Sequence, residues 1–176
     1  MKKPTVISLT LSLFVLIAAS CTQQSSSSED TQLGDLHHSL SISDKASESF
    51  DQGLLLLHSF EYDDASEAFQ KAIKADPDEL MAHWGLAMTH YRALWGLQDV
   101  EAGRKVIQAV AETKEARMKK AENQLESDFW EGVEILYGEG ELDERNKSYS
   151  DHMAEVYAAN PDNQEVAAFY ALGLMW

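Results

Sequence analysis

The chain carries one thiol, Cys21, and the residues leading into it, Ala18-Ala19-Ser20, are all small. Small side chains let a signal peptidase reach the bond before a cysteine, whose sulfur can then carry diacylglycerol, so these four residues read as a lipobox. Upstream, Lys2 and Lys3 precede an apolar stretch over 6–19. That stretch is shorter than the about 20 apolar residues a membrane span needs. It has instead the basic and apolar regions of a secretory signal. A lone cysteine excludes a disulfide within the molecule, and lipidation is the use that accounts for it in an exported chain. Residues 22–30 (TQQSSSSED) open a polar, Ser-rich tether expected over 22–43, too poor in apolar groups to fold. Thr22 stands where an Asp would favour retention at the inner membrane. The expected address is therefore the bacterial cell envelope, with the outer membrane preferred.

A second set of residues could bind rather than react. Trp84, Met88 and Tyr91 are spaced four and three apart, so one helical face carries all three. Phe50, Leu54 and His58 form a matching stripe upstream, and Arg92 adds a cation able to hold a carboxylate. Met and aromatic side chains bind apolar segments adaptably. Of the histidines, His37-His38 sits in the leader, while His83 and His90 lie about 10 Å apart along a helix, too far to share an ion. No metal site and no cofactor is expected. The chain has no Gly-rich phosphate loop, nucleophile elbow or His-Glu-x-x-His, and Glu139 and Glu141 read as solvated charge. No catalytic residue is assigned and no enzyme is expected.

These side chains need helices to position them. Roughly 145 residues follow the polar tether, enough for one domain with a core. Proline is rare, and Ala, Glu, Leu and Lys are abundant, so the domain reads as all-α. With the leader removed, the 14 basic residues fall to 12 against 30 acidic ones, a formal charge of −18. Such a surface disfavours nucleic acid and anionic headgroups, and a charged partner should be basic.

Residues 46–79 carry small or aromatic residues at Gly53, Ala65, Phe69 and Ala72, closed by Pro77. These offsets match a 34-residue tetratricopeptide unit, in which small residues mark helix crossings. Asp63-Asp64 is the expected N-cap of its second helix. A second unit is expected over 80–116, with a helix over 80–94, a turn at 96–99 and a helix over 100–114. A third spans 121–161, with helices over 121–137 and 144–159, and a partial fourth covers 163–176. That last helix ends in Leu174-Met175-Trp176, and its apolar end implies further repeats beyond it.

The stretch from Leu36 onward resembles a family of exported bacterial tetratricopeptide repeat lipoproteins. The likeness lies in His37-His38, Phe50-Asp51-Gln52-Gly53-Leu54, Asp76-Pro77 and Trp84-Gly85-Leu86-Ala87. It implies a solenoid of stacked antiparallel helix pairs whose first helices line a concave face. Phe50, Leu54, His58, Trp84, Met88, Tyr91 and Arg92 would then form a partner-binding groove. The expected function is a membrane-tethered scaffold for protein or peptide segments, basic or apolar. The alternatives are a copper- or zinc-linked envelope protein using His and Met, or a solenoid spacer with no specific ligand. Cys21→Ser should release the protein from membranes, because stable anchoring needs two or more acyl chains; retention of the variant on high-salt-washed membranes would refute the anchor.

Overall fold

The computed structural model describes residue 34 and residues 36–175. Cys21, the rest of the expected signal peptide, residues 22–33 and 35 of the expected tether, and Trp176 lie outside the described residues. Among the described residues the fold is all-α apart from one small hairpin, and no helix is long and apolar enough to cross a membrane.

The first two helices, α1 (Ser47–His58) and α2 (Tyr62–Ala75), form an antiparallel pair. α1 ends in a Schellman turn: Glu61 N donates to Leu56 O at 2.9 Å and Phe60 N to Leu57 O at 3.0 Å. Glycine usually occupies the left-handed position of that turn, yet here it is Phe60, at φ 62°. α2 starts earlier than its expected Asp63-Asp64 cap. Glu61 is its N-terminal neighbour and makes no side-chain cap bond, while Asp63 and Asp64 sit in the first turn. There they face the positive end of the helix dipole. Asp76 is extended before Pro77 and ends the helix as expected.

α3 (Leu80–Thr89) packs on α1 and α2 and stops five residues short of its expected end. The Thr89 hydroxyl donates to Leu86 O at 2.8 Å, and the chain then turns into strand pairing. β1 (Tyr91–Arg92) and β2 (Leu97–Gln98) are antiparallel, with Tyr91 opposite Gln98 and Arg92 opposite Leu97. A single 3-10 turn, Ala93–Trp95, joins them, closed by Gly96 at φ 61°. α4 (Val100–Val110) follows from an Asp99 cap, and the short α5 (Lys114–Met118) from a Thr113 cap. α6 (Gln124–Leu136), α7 (Leu142–Ala159) and α8 (Gln164–Gly173) follow. Asn123 and Asn163 cap α6 and α8, and α7 opens with a Glu141–Glu144 capping box. Buried Arg117 forks onto Glu134 at 2.5 and 2.8 Å and fastens α5 to α6.

The tightest packing surrounds Phe69. A Cβ on Gly53 of α1 would lie 2.9 Å from its ring, and one on Gly85 of α3 only 2.3 Å away. One aromatic side chain from α2 therefore fills the space between two helices that approach it through glycine. Gly103 of α4 meets the ring of Tyr137 in the same way, at 2.1 Å.

Residues 36–46, largely assigned to the tether by sequence, dock on the helices. Leu40 is buried in the core. Ser41 N donates to Glu126 Oε1 at 3.0 Å, and Ser43 N to Glu79 Oε2 at 2.9 Å. Glu126 also accepts from Glu122 N and Asn123 Nδ2, so its carboxylate, in a residue 1 % exposed, is well supplied with donors. Burial pushes the Glu79 carboxyl upward, and the N–H groups of Ser43 and Met81 offset part of that. These paired backbone groups hold the segment 36–46 against the helices.

Gly85→Ala should destabilise the fold by about 1–3 kcal/mol through overpacking. Adding Phe69→Leu should recover part of that loss, and chemical denaturation of the two single variants and the double variant measures the coupling. Strictly additive losses would place Phe69 away from Gly85.

Candidate functional site

The structure brings the expected groove residues together but seals them. Phe50, Leu54, Trp84, Met88 and Tyr91 are all buried, Trp84 to 2 % exposure. The ring of Trp84 lies 4.9 Å from Phe169 of α8 and 5.1 Å from Phe129 of α6. Phe50 is covered by Phe69 and by His38 of the docked leader, and Tyr91 meets Tyr149 of α7 edge-on at 5.7 Å. His58 is half-buried, with Nε2 2.8 Å from Glu165 Oε2 at the start of α8. The open groove is thus corrected. The chain's own later helices occupy that face, since burying each large apolar side chain is worth about 1.5–3 kcal/mol.

Neither His83 nor His90 joins a ligand set. His83 Nε2 lies 3.1 Å from Pro77 O, and burial holds both imidazoles below their usual titration range. Among the described residues no group of three or more His, Cys, Asp or Glu could hold a metal ion.

Of the expected groove residues only His58 and Arg92 stay partly exposed, and Arg92 points to a different place. Its Nη2 donates to Asp63 Oδ1 at 2.7 Å, and its guanidinium carbon lies 5.2 Å from the Tyr62 ring centroid. Beside it, Phe60, Trp95 and Leu97 are 39, 53 and 58 % exposed. The three rings of Phe60, Tyr62 and Trp95 touch one another. Trp95 is edge-on to Phe60 at 5.9 Å and to Tyr62 at 5.6 Å, and Phe60 is tilted on Tyr62 at 6.4 Å. Together with Leu97 and the acidic rim of Glu61, Asp63 and Asp64, they bound an open cleft of about 420 Å³.

Two backbone turns build this cleft. The left-handed Phe60 carries a ring where a Schellman turn ordinarily has none, and Gly96 turns the hairpin just after Trp95. Burial raises the Tyr62 hydroxyl above its usual range, and the nearby Arg92 opposes that rise. A second hollow of about 290 Å³ adjoins it, where Phe60 and Leu57 face Phe169, Leu172 and Met175 of the α8 end. The cleft offers aromatic faces next to carboxylates, which suits an apolar group carrying positive charge.

Sequence reading missed Phe60, Trp95 and Leu97. The available signal was large apolar residues at chain reversals: Phe60 between α1 and α2, and Leu94-Trp95-Gly96-Leu97 where a polar turn is usual. The chain matches no protein-family model, no curated protein and no solved structure.

Trp84→Ala should cost about 3–5 kcal/mol of stability, as expected for a large core residue. Trp95→Ala should cost about 1 kcal/mol, since it loses only edge-on ring contacts. Urea unfolding of both variants tests the assignment, and equal losses would contradict it.

Proposed function

We propose that this chain is a lipid-anchored envelope scaffold of tetratricopeptide type, without catalytic activity, that docks protein or peptide segments. The membrane contact in this reading comes from acyl chains on Cys21, and the outer membrane is the favoured address. The repeat reading is supported by the pairs α1–α2, α3–α4 and α6–α7, and by the Gly53–Phe69 crossing at its expected spacing. Neighbouring first helices also meet, α1 with α3 and α3 with α6. The array departs from a regular solenoid in its hairpin after α3, its added α5, and an α8 that lies against the first helices.

The observation that carries the interaction role is the Phe60–Trp95–Leu97 surface. Among the described residues six large apolar side chains are exposed, Phe60, Leu94, Trp95, Leu97, Leu174 and Met175, and three of them, Phe60, Trp95 and Leu97, stand together around one cleft. Contiguous exposed apolar surface of this kind marks interaction sites. A photocrosslinking residue placed at Leu97 of the full-length protein in intact cells should yield an adduct of discrete size. The adduct should vanish in a Trp95→Ala background and be absent when the crosslinker stands at exposed Lys105. Indiscriminate labelling from both positions would argue for a surface without a partner.

A further inference from the structure

We infer that the Phe60–Tyr62–Trp95 cleft seats a lysine or arginine side chain of a partner peptide, flanked by an apolar residue on the Leu97 side. The inference rests on the scaffold reading for the kind of partner and specifies its chemistry.

Three observations carry it. The cleft combines aromatic faces with carboxylates: rings 5.6–6.4 Å apart stand beside Glu61, Asp63 and Asp64. A cation near a ring is attracted by its negative face, most strongly on tryptophan. The chain as a whole bears a formal charge of −16, so its field draws basic segments toward it and repels acidic ones.

The second observation is that the cleft already holds one guanidinium. Arg92 lies over Tyr62 at 5.2 Å and donates to Asp63, both contacts that a partner's cation would seek. Arg92 is thus an internal occupant of part of the seat. It leaves the Trp95 and Phe60 side, together with Glu61 and Asp64, to the incoming side chain.

The third observation is the backbone. At φ 62°, Phe60 holds a conformation that a bulky L side chain rarely adopts. Glycine would meet the Schellman turn without strain, so the ring stands there at a conformational cost. Its contacts with Tyr62 and Trp95 offset part of that cost, and its exposed edge forms one wall of the cleft.

The alternatives are separable. The exposed Trp and Leu could instead dip into a lipid headgroup layer, but three carboxylates around them disfavour anionic bilayers. A second copy of this chain would bring the same acidic rim against itself.

The test uses the full mature chain and fluorescein-labelled twelve-residue peptides. One peptide alternates Lys with Leu, a second replaces every Lys by norleucine, and a third replaces every Lys by Glu. Fluorescence polarisation should show the Lys–Leu peptide binding at least about fivefold tighter than the norleucine peptide, with affinity falling as salt rises. The Glu peptide should not bind. Trp95→Ala should weaken binding about fivefold or more, and Phe60→Gly, which suits the left-handed turn and keeps the fold, should do the same.

Arg92→Gln gives the sharpest sign. Removing the internal cation should tighten the Lys–Leu peptide several-fold. Weaker binding in that variant, or equal binding of the Lys and norleucine peptides, would overturn the cation seat while leaving an apolar docking surface in place. Trp95-dependent binding to phosphatidylcholine vesicles, with none to any peptide, would overturn the scaffold reading as well. Dimerisation abolished by Trp95→Ala, seen by analytical ultracentrifugation, would replace the basic peptide with a second copy.

Discussion

The ring of Phe69 occupies a space that α1 and α3 can enclose only because each presents a glycine to it. A methyl group at Gly53 or Gly85 would lie within 3 Å of ring carbons, so the three helices have almost no freedom in spacing. That contact sets the distance between α1 and α3, and with it the face on which Phe50, Leu54, Trp84 and Met88 converge. The aromatic cluster continues from there: Phe50 meets Phe69, Trp84 meets Phe129 and Phe169, and Phe129 meets Phe169. The hydrophobic core thus runs from α1 through α3 into α6 and α8.

Polar groups fix what the apolar core leaves adjustable. Glu79 and Glu126 receive the backbone N–H groups of Ser43 and Ser41, so the leader is held by directional bonds as well as by Leu40. A carboxylate taken from water without such donors would be costly, and half-buried Glu79 meets two of them and buried Glu126 three. Arg145 does similar service at the far end. It donates to Leu136 O, Gly140 O and Gln98 Oε1, tying α7 to the preceding loop and to the hairpin. Arg104 donates to Tyr137 O and Gly138 O, and Tyr137 in turn donates to Ala87 O. The hairpin that bears Trp95 is therefore anchored from below, while its tip projects.

That division decides where interaction surface remains. The face that periodicity marked for a groove is closed by α8 and α6, while Phe60, Trp95 and Leu97 are left outside at chain reversals. Phe60 and Trp95 stand on two separate turns that only the packing of α1, α2 and α3 brings within 6 Å of each other. A surface made this way is small, rigid at its base and acidic at its rim. Those properties underlie the proposal of a short basic-apolar segment as its occupant.

Much of the architecture was legible in the residues alone. The 3.6-residue periodicity and the Gly53, Ala65, Phe69 and Pro77 offsets located the first helix pair, and helices over 124–136 and 142–159 fell close to their expected bounds. These features are local, because capping, proline and helical spacing act within a few residues. The end of α3, the hairpin at 91–98 and the docking of residues 36–46 were not legible. Each depends on partners far along the chain, such as Glu126 for Ser41 and Tyr149 for Tyr91. A stripe such as Trp84, Met88 and Tyr91 establishes that one helical face is apolar, and it carries no information about what covers that face. The cover, α8, lies about 80 residues downstream of Trp84, and its position follows from the summed burial of the whole core. By itself the sequence determined which segments become helices and which faces must avoid water. Only the tertiary structure decided which apolar residues would find cover within the chain and which, like Phe60 and Trp95, would be left for something else.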